Sequence, residues 1–232
     1  MIILLKRKYL KFIALFLLAI ILGITCLNYT FKATSAPAKI VVVLDAGHGG
    51  IDVGVKGVQS DTPEAEINLS ITKKVEKKVI DNNFTVVLTR EDENGLYGDK
   101  TPGFKLRDFK KRKNIIDAAN ASVLVSIHCN KFPSSDVRGA RVFYEPTSES
   151  SLHLSKKLQD NLNIINRQEI NRDIKEHSGD YYILKCTSVP SAIVECGFLS
   201  NPNDDKLLNN EEYQEKIAYA IFSGIVGYLA FN

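Results

Sequence analysis

Cysteine is scarce in this 232-residue chain, and no other feature replaces it as a staple. The four are Cys26, Cys129, Cys186 and Cys196. Only three remain once a leader is removed, an odd number at spacings that match no disulfide framework. A disulfide-stapled secreted domain is therefore excluded, and the cysteines read as buried thiols suited to a mildly reducing or anaerobic habitat. No internal repeat or low-complexity segment follows the leader, which excludes a repeat array. A surplus of one charge is also missing. The formal net charge is +3, but Lys6, Arg7, Lys8, Lys11 and Lys32 all precede residue 39, where there is no acid. Removing those 5 from 30 basic residues leaves 25 against 27 acids, or −2 for residues 39–232. The basic footprint of a nucleic-acid binder is absent.

What remains is ordinary globular material: 44% hydrophobic and 25% charged, enough to bury one core. Residues 1–38 stand apart. A basic cluster precedes "FIALFLLAIILGITCL", Phe12 to Leu27, which carries no charge. The run is long for a signal peptide and short for a comfortable span. A small-residue stretch, "ATSAPA", could hold a cleavage site. A cleaved signal and a retained membrane anchor both fit, and both place residues 39–232 outside the cytoplasm. A core helix does not fit, because the segment has no amphipathic face. "LGITC" lacks the small residue that lipidation at Cys26 would want.

Hydrophobic patterning predicts alternating strands and helices over residues 39–232. Strands are expected at Lys39–Leu44, "FTVVLTR", "SVLVSIH", "ARVFY", "YYIL" and "SAIVEC". Helices are expected at Glu64–Ile80, Leu106–Ala119, Ser150–Asn163 and Glu211–Ala230. Residues 91–105 read as a Gly/Pro-rich loop, and 164–180 as an irregular rim. The fold class is α/β: a single domain with a twisted, mostly parallel sheet flanked by helices on both faces, preceded by the signal or anchor segment. In such sheets, sites gather at the C-terminal ends of strands.

That rule selects His48, His128 and Glu195, with Glu64 at a helix start. "DTPEAEINL" can be capped by Asp61 or Thr62, with Pro63 at the first helical position. At 100° per residue, Ile71 and Val75 lie within about 20° of Glu64, so its carboxylate heads the apolar face. Glu66 falls on the solvent face. A buried carboxylate needs a partner, and a metal ion is one. Strand alternation puts His128 with Leu124 and Ser126, opposite Cys129, which reads as a packed thiol. Glu195 shares a face with Ile193 and is either paired or raised in pKa for acid/base work. Two histidines and a carboxylate make a zinc set with an open position. His48 lies in "VVVLDAGHGG", which a phosphate loop would also suit; but "IDVGVKGVQSDT" intervenes before any helix, so that reading drops. His153 reads as a surface residue on a helix. His177 reads as solvated, with a reserve role as ligand or substrate contact. Asp45 and Asp52 read as turn formers, or else as acids orienting His48.

The motifs "LDAGHGGIDVG", "PEAEINL", "LTR", "SVLVSIHCN", "GARVFY", "YYILKCTSVPSAIVECGFLSN" and "YQEKIAYAIFSGIVGYL" run in order over nearly all of residues 39–232. With them, the chain resembles the zinc-dependent N-acetylmuramoyl-L-alanine amidases of type 3. The leader and "VECGFLSNPND" look most like the germination-specific spore cortex branch of spore-forming Firmicutes. The resemblance implies Zn2+ on His48, Glu64 and His128, with Glu195 catalytic. It implies peptidoglycan as substrate, cleaved between N-acetylmuramic acid and L-alanine. In cortex, this would serve muramic-δ-lactam formation with a deacetylase acting afterwards. Arg112, in "RKNIID", matches a family arginine and reads as a structural ion-pair former. Ala65, Cys129, Asp117 and Asp173 depart from the usual pattern without touching a ligand. No blocking helical insert or wall-binding domain is expected within these residues. Whether an accessory protein joins it stays open. Two rival readings are a metallopeptidase cutting within the stem peptide and a wall-binding protein with a weak metal site.

Overall fold

The computed structural model describes residues 7–34 and 39–230. It divides into two units, residues 1–39 and 40–232. In the first, α1 (Arg7–Thr34) is one 28-residue helix. Among the described residues, no helix is long and apolar enough to cross a membrane. Residues 35–38 of "ATSAPA", and with them the expected cleavage stretch, lie outside the described residues.

The second unit carries the predicted α/β order. It begins β1 (Val41–Ala46), α2 (Glu64–Asp81), β2 (Thr85–Leu88), α3 (Phe104–Ala118) and β3 (Val123–Asn130). It continues β4 (Arg141–Tyr144), α4 (Glu149–Ile170), β5 (His177–Ser178) and α5 (Tyr182–Lys185). It closes with β6 (Ser191–Phe198), α6 (Pro202–Leu208) and α7 (Glu211–Leu229). The sheet order is β2-β1-β3-β6-β4-β5. All pairings are parallel except β4 with β6.

The apolar run Val42–Leu44 is buried on both faces, which is why it does not alternate with polar residues. Val42, Leu44, Val123, Val125, Ile127 and Val194 face a thick layer from α2, α4 and α7. Val43, Leu124 and Ile193 face a thinner layer that includes Ile116 of α3 and Ile183 and Leu184 of α5. Asp45, His128 and Glu195 continue those second-face rows by alternation, past the end of their cover.

Three expectations are corrected. Helix α4 does not stop at Asn163 but runs to Ile170, ending on Asn171 in the left-handed conformation. Two polar residues near its end, Asn163 and Asn166, point inward rather than marking a loop. Asn163 and Asn166 stay buried because their amides bind backbone groups of Ile174 and Ala140. "YYIL" is not a strand. It forms the single-turn helix α5, with Ile183 and Leu184 buried and Tyr182 exposed. Helix α2 has no side-chain cap: the Glu64 and Ala65 N–H groups donate to Val55 and Val53 carbonyls instead. Asp61 pairs with Lys56. Helix α6, unread in the sequence, starts on an Asn201 cap with Pro202 behind it.

Of the cysteines, Cys129 and Cys196 are buried thiols, while Cys186 is only half-buried and Cys26 is exposed. His153 is half-buried too, its ring 5.6 Å from that of Tyr228. Helices α4 and α7 approach closely at Gly224, where a Cβ would lie 2.7 Å from the Leu158 Cα. Gly224→Val should therefore destabilise the fold by about 2 kcal/mol, read as a lower denaturation midpoint with an unchanged slope.

Candidate active site

The C-terminal ends of β1, β3 and β6 lie side by side, and the first turn of α2 closes over them. After β1 the chain turns through His48, whose φ is 61°. Gly47 is needed there because a Cβ would collide with the His128 ring. Gly54 is needed for the same reason beneath the Glu64 carboxylate.

Glu64 is the centre of the cluster and is only 2% exposed. Its Oε1 lies 2.9 Å from His128 Nδ1, and its Oε2 lies 3.2 Å from His48 Nε2. The Val55 and Cys129 N–H groups and the Asn68 amide also donate to this carboxylate. The two imidazoles meet edge to face at 5.1 Å. One ligand atom from each of His48, Glu64 and His128 lies within 4.8 Å of the other two. Two imidazole nitrogens and a carboxylate, converging with one side open, form a donor set that fits zinc.

Electrostatics agree with a cation site. Burial would raise the Glu64 pKa, but His128 and His48 hold it well below the carboxylate range. Burial would lower the His48 pKa, but Asp52 and Glu64 push it up to about 9. Asp52 Oδ2 lies 3.1 Å from His48 Nδ1, close enough for charge attraction but outside hydrogen-bond geometry. It also pairs with Gly49 through two backbone hydrogen bonds, so it is the expected turn former, with its carboxylate beside the His48 ring. Asp45 is neither turn former nor orienter. It is buried, 2% exposed, and accepts from Thr89, Ser126 and Arg112.

Arg112 is the structural ion-pair former that was expected, with a further task. It donates to the carbonyls of Ala46 and His48. Arg90 donates to those of Ala46, Gly47 and Ala65. Two buried guanidiniums thus hold the carbonyls of the histidine turn and tie it to α2. Sequence reading missed Arg90 and Asn68. The signals were there: Arg90 ends "LTR" beside β1, and Asn68 lies one turn after Glu64 on the same helix face.

Glu195 pairs in register with His128 across β3 and β6, just before a register shift at Cys129. A bulge at this point re-aims the strand ends beside the site. The carboxyl is buried, and its Oε2 has no hydrogen-bond partner among the described residues. Burial pushes its pKa up to about 7; His128 and His48 oppose the rise and Glu64 adds to it. A cleft opens over the histidines, walled by Lys105, Phe109, Tyr181 and Tyr182. His177 lies elsewhere, exposed on β5 against Phe143.

The family model described as N-acetylmuramoyl-L-alanine amidase matches residues 42–226. The chain belongs to that family. This amidase is 32% identical to the germination-specific N-acetylmuramoyl-L-alanine amidase of Bacillus subtilis, over 96% of each chain. It is similar in structure to the CwlD amidase from Clostridioides difficile, solved in complex with the GerS lipoprotein. There the TM-score is 0.79 and the identity 41%, over 84% of this chain and 100% of that one. The catalytic domain of CwlV from Bacillus (Paenibacillus) polymyxa matches at a TM-score of 0.72 and 29% identity, over 83% and 99%. The amidase is therefore a hydrolase of peptidoglycan.

The buried Asp45–Arg112 pair gives the amidase an acid-sensitive element. Burial would raise the Asp45 pKa, but Arg112, Ser126 and Thr89 hold it down at about 2. A depressed folded-state pKa contributes stability above the unfolded value, near 4, that is lost as pH falls toward 2. Asp45→Asn should cost about 1–3 kcal/mol at pH 7, because it removes one of the two carboxylates that match a buried guanidinium and leaves only Asp108. It should also flatten the fall in the urea midpoint between pH 4 and pH 2.

Proposed function

We propose that the amidase is zinc-dependent and exported, and that it acts on spore cortex peptidoglycan. The observation that carries the chemistry is the convergence of two imidazoles and a carboxylate beside a buried, unpaired carboxyl. His48, Glu64 and His128 hold the metal, and the Asp52 carboxylate stands beside the His48 ring. Bound there, zinc supplies Lewis acidity, which polarises a carbonyl and lowers the pKa of water to about 7.

Glu195 is the proton carrier. It takes a proton from water as the water oxygen attacks the lactyl carbonyl carbon. It then delivers that proton to the alanine nitrogen as the C–N bond breaks. The products are a lactyl carboxylate on the sugar and a stem peptide with a free L-alanine amine. Burial raises this carboxyl's affinity for a proton, which suits a group that must both accept and return one. The Gly47 and Gly54 contacts keep the ligands close, and the Arg90 and Arg112 bonds keep their turn rigid.

The cortex assignment draws on the name of the Bacillus subtilis relative, which matches over nearly the whole chain. Cleavage there would prepare muramic acid for δ-lactam formation, with a deacetylase acting next. The similar Clostridioides difficile enzyme was solved with a lipoprotein, which supports an accessory partner of that kind. Export rests on residues 1–38, read as a signal peptide or membrane anchor ahead of the amidase domain at 39–232.

Glu195→Gln should lower kcat by about 10²–10⁴-fold while metal analysis finds zinc unchanged. Normal turnover in that variant would remove Glu195 from the mechanism. Chelation should abolish activity, and added zinc should restore it. Mass spectrometry of digested cortex should show stem peptides with an L-alanine amino terminus. Shortened stems still attached to sugar would favour a peptidase, and no released product a binding protein.

A further inference from the structure

Strand β4 lies on the other side of β6 from the histidines, and Arg141 stands directly opposite Glu195 in their antiparallel register. His128, Glu195 and Arg141 therefore form one row across three neighbouring strands. Val142 is fully buried beneath the sheet, so alternation sends Arg141 to the face that carries the site.

Arg141 is held rather than free to wander. The Ala140 N–H donates to Asn166 Oδ1 and the Val142 N–H to Gln159 Oε1, each at 2.9 Å. Its guanidinium stacks over the Phe198 ring at 5.3 Å. Yet among the described residues the head group makes no ion pair. Its Nε is buried and has no hydrogen-bond partner among the described residues. Burial and the charge of a second cation, Arg172, hold its pKa below the usual value. Arg172 is exposed, and the adjacent Asp173 turns instead to Arg167, at 3.4 Å. A half-buried guanidinium whose Nε is unpaired, with a like charge acting on it, is an arrangement that an incoming anion would relieve.

We propose that Arg141, with Arg172, forms a subsite for a carboxylate of the stem peptide, one strand beyond Glu195. The inference rests on the amidase reading of the site. The departing L-alanine amine carries the rest of the stem with it, and stem residues bear carboxylates. A carboxylate one or two residues along lies about 4–7 Å from the scissile nitrogen, and neighbouring strands are about 4.8 Å apart. A guanidinium suits that group because its fork can meet both carboxylate oxygens.

The test uses two synthetic muropeptides that differ only at the residue after L-alanine, whose side carboxylate is free in one and amidated in the other. Wild-type enzyme should prefer the free form by about 10–100-fold in kcat/KM, mostly through KM. Arg141→Gln should bring the two substrates close to equality. Arg172→Gln, at an exposed position that does not endanger folding, should shrink the preference in the same direction. Equal cleavage of both substrates by wild-type enzyme, or an undiminished preference in both variants, would overturn the subsite alone. Cleavage of neither substrate would overturn the amidase reading and the subsite with it.

Discussion

A carboxylate taken out of water at the start of a helix must be matched by positive charge or by donors, and Glu64 imposes that demand here. It is 2% exposed, and its two oxygens are shared among two imidazoles, two backbone amides and one side-chain amide. The five partners come from four parts of the chain. His48 follows β1, His128 and Cys129 end β3, Val55 lies in the loop before α2, and Asn68 is one turn along it. Satisfying one buried anion therefore draws the sheet, the loop and the helix to a single point.

The histidine turn would not hold its shape on that attraction alone. His48 has a positive φ, which is uncommon for a non-glycine residue and persists only where surroundings over-determine it. Arg90 and Arg112 supply that constraint by binding the carbonyls of Ala46, Gly47 and His48. Arg112 is fixed in turn by Asp45 and Asp108. The ion pairs of this layer serve geometry, because they fix the turn that carries His48. The asymmetry of the sheet's cover serves the same end. Three long helices bury one face, while the thinner layer opposite stops short of the strand ends and leaves a cleft above the histidines.

Most of the fold could be read from local pattern, because its strongest signals are local. Val41–Leu44 is apolar without alternation, Ile67, Ile71, Val75 and Val79 repeat at helical spacing, and both patterns are observed as read. The failures share a cause. The end of α4 looked like loop because the residues after Asn163 are mostly polar, yet Asn166 is buried against the Ala140 backbone. "YYIL" has strand propensity, but four residues can bury two apolar side chains as well on a single helical turn. Propensity yields wherever a partner distant in sequence satisfies the backbone.

Spacing in the chain was enough to nominate His48, Glu64, His128 and Glu195, because strand alternation and helix phase say which way a side chain points. Those rules say nothing of distance between elements 16 to 80 residues apart. Only the tertiary structure decided that the first three bring one ligand atom each to within 4.8 Å of the others. Only it revealed that Asp45 belongs to Arg112 rather than to a turn, and that Arg141 stands across from Glu195 without an ion pair among the described residues. Direction is a property of the local backbone and is written in consecutive residues. Proximity depends on how strands are ordered and registered, which is settled by packing over the whole core.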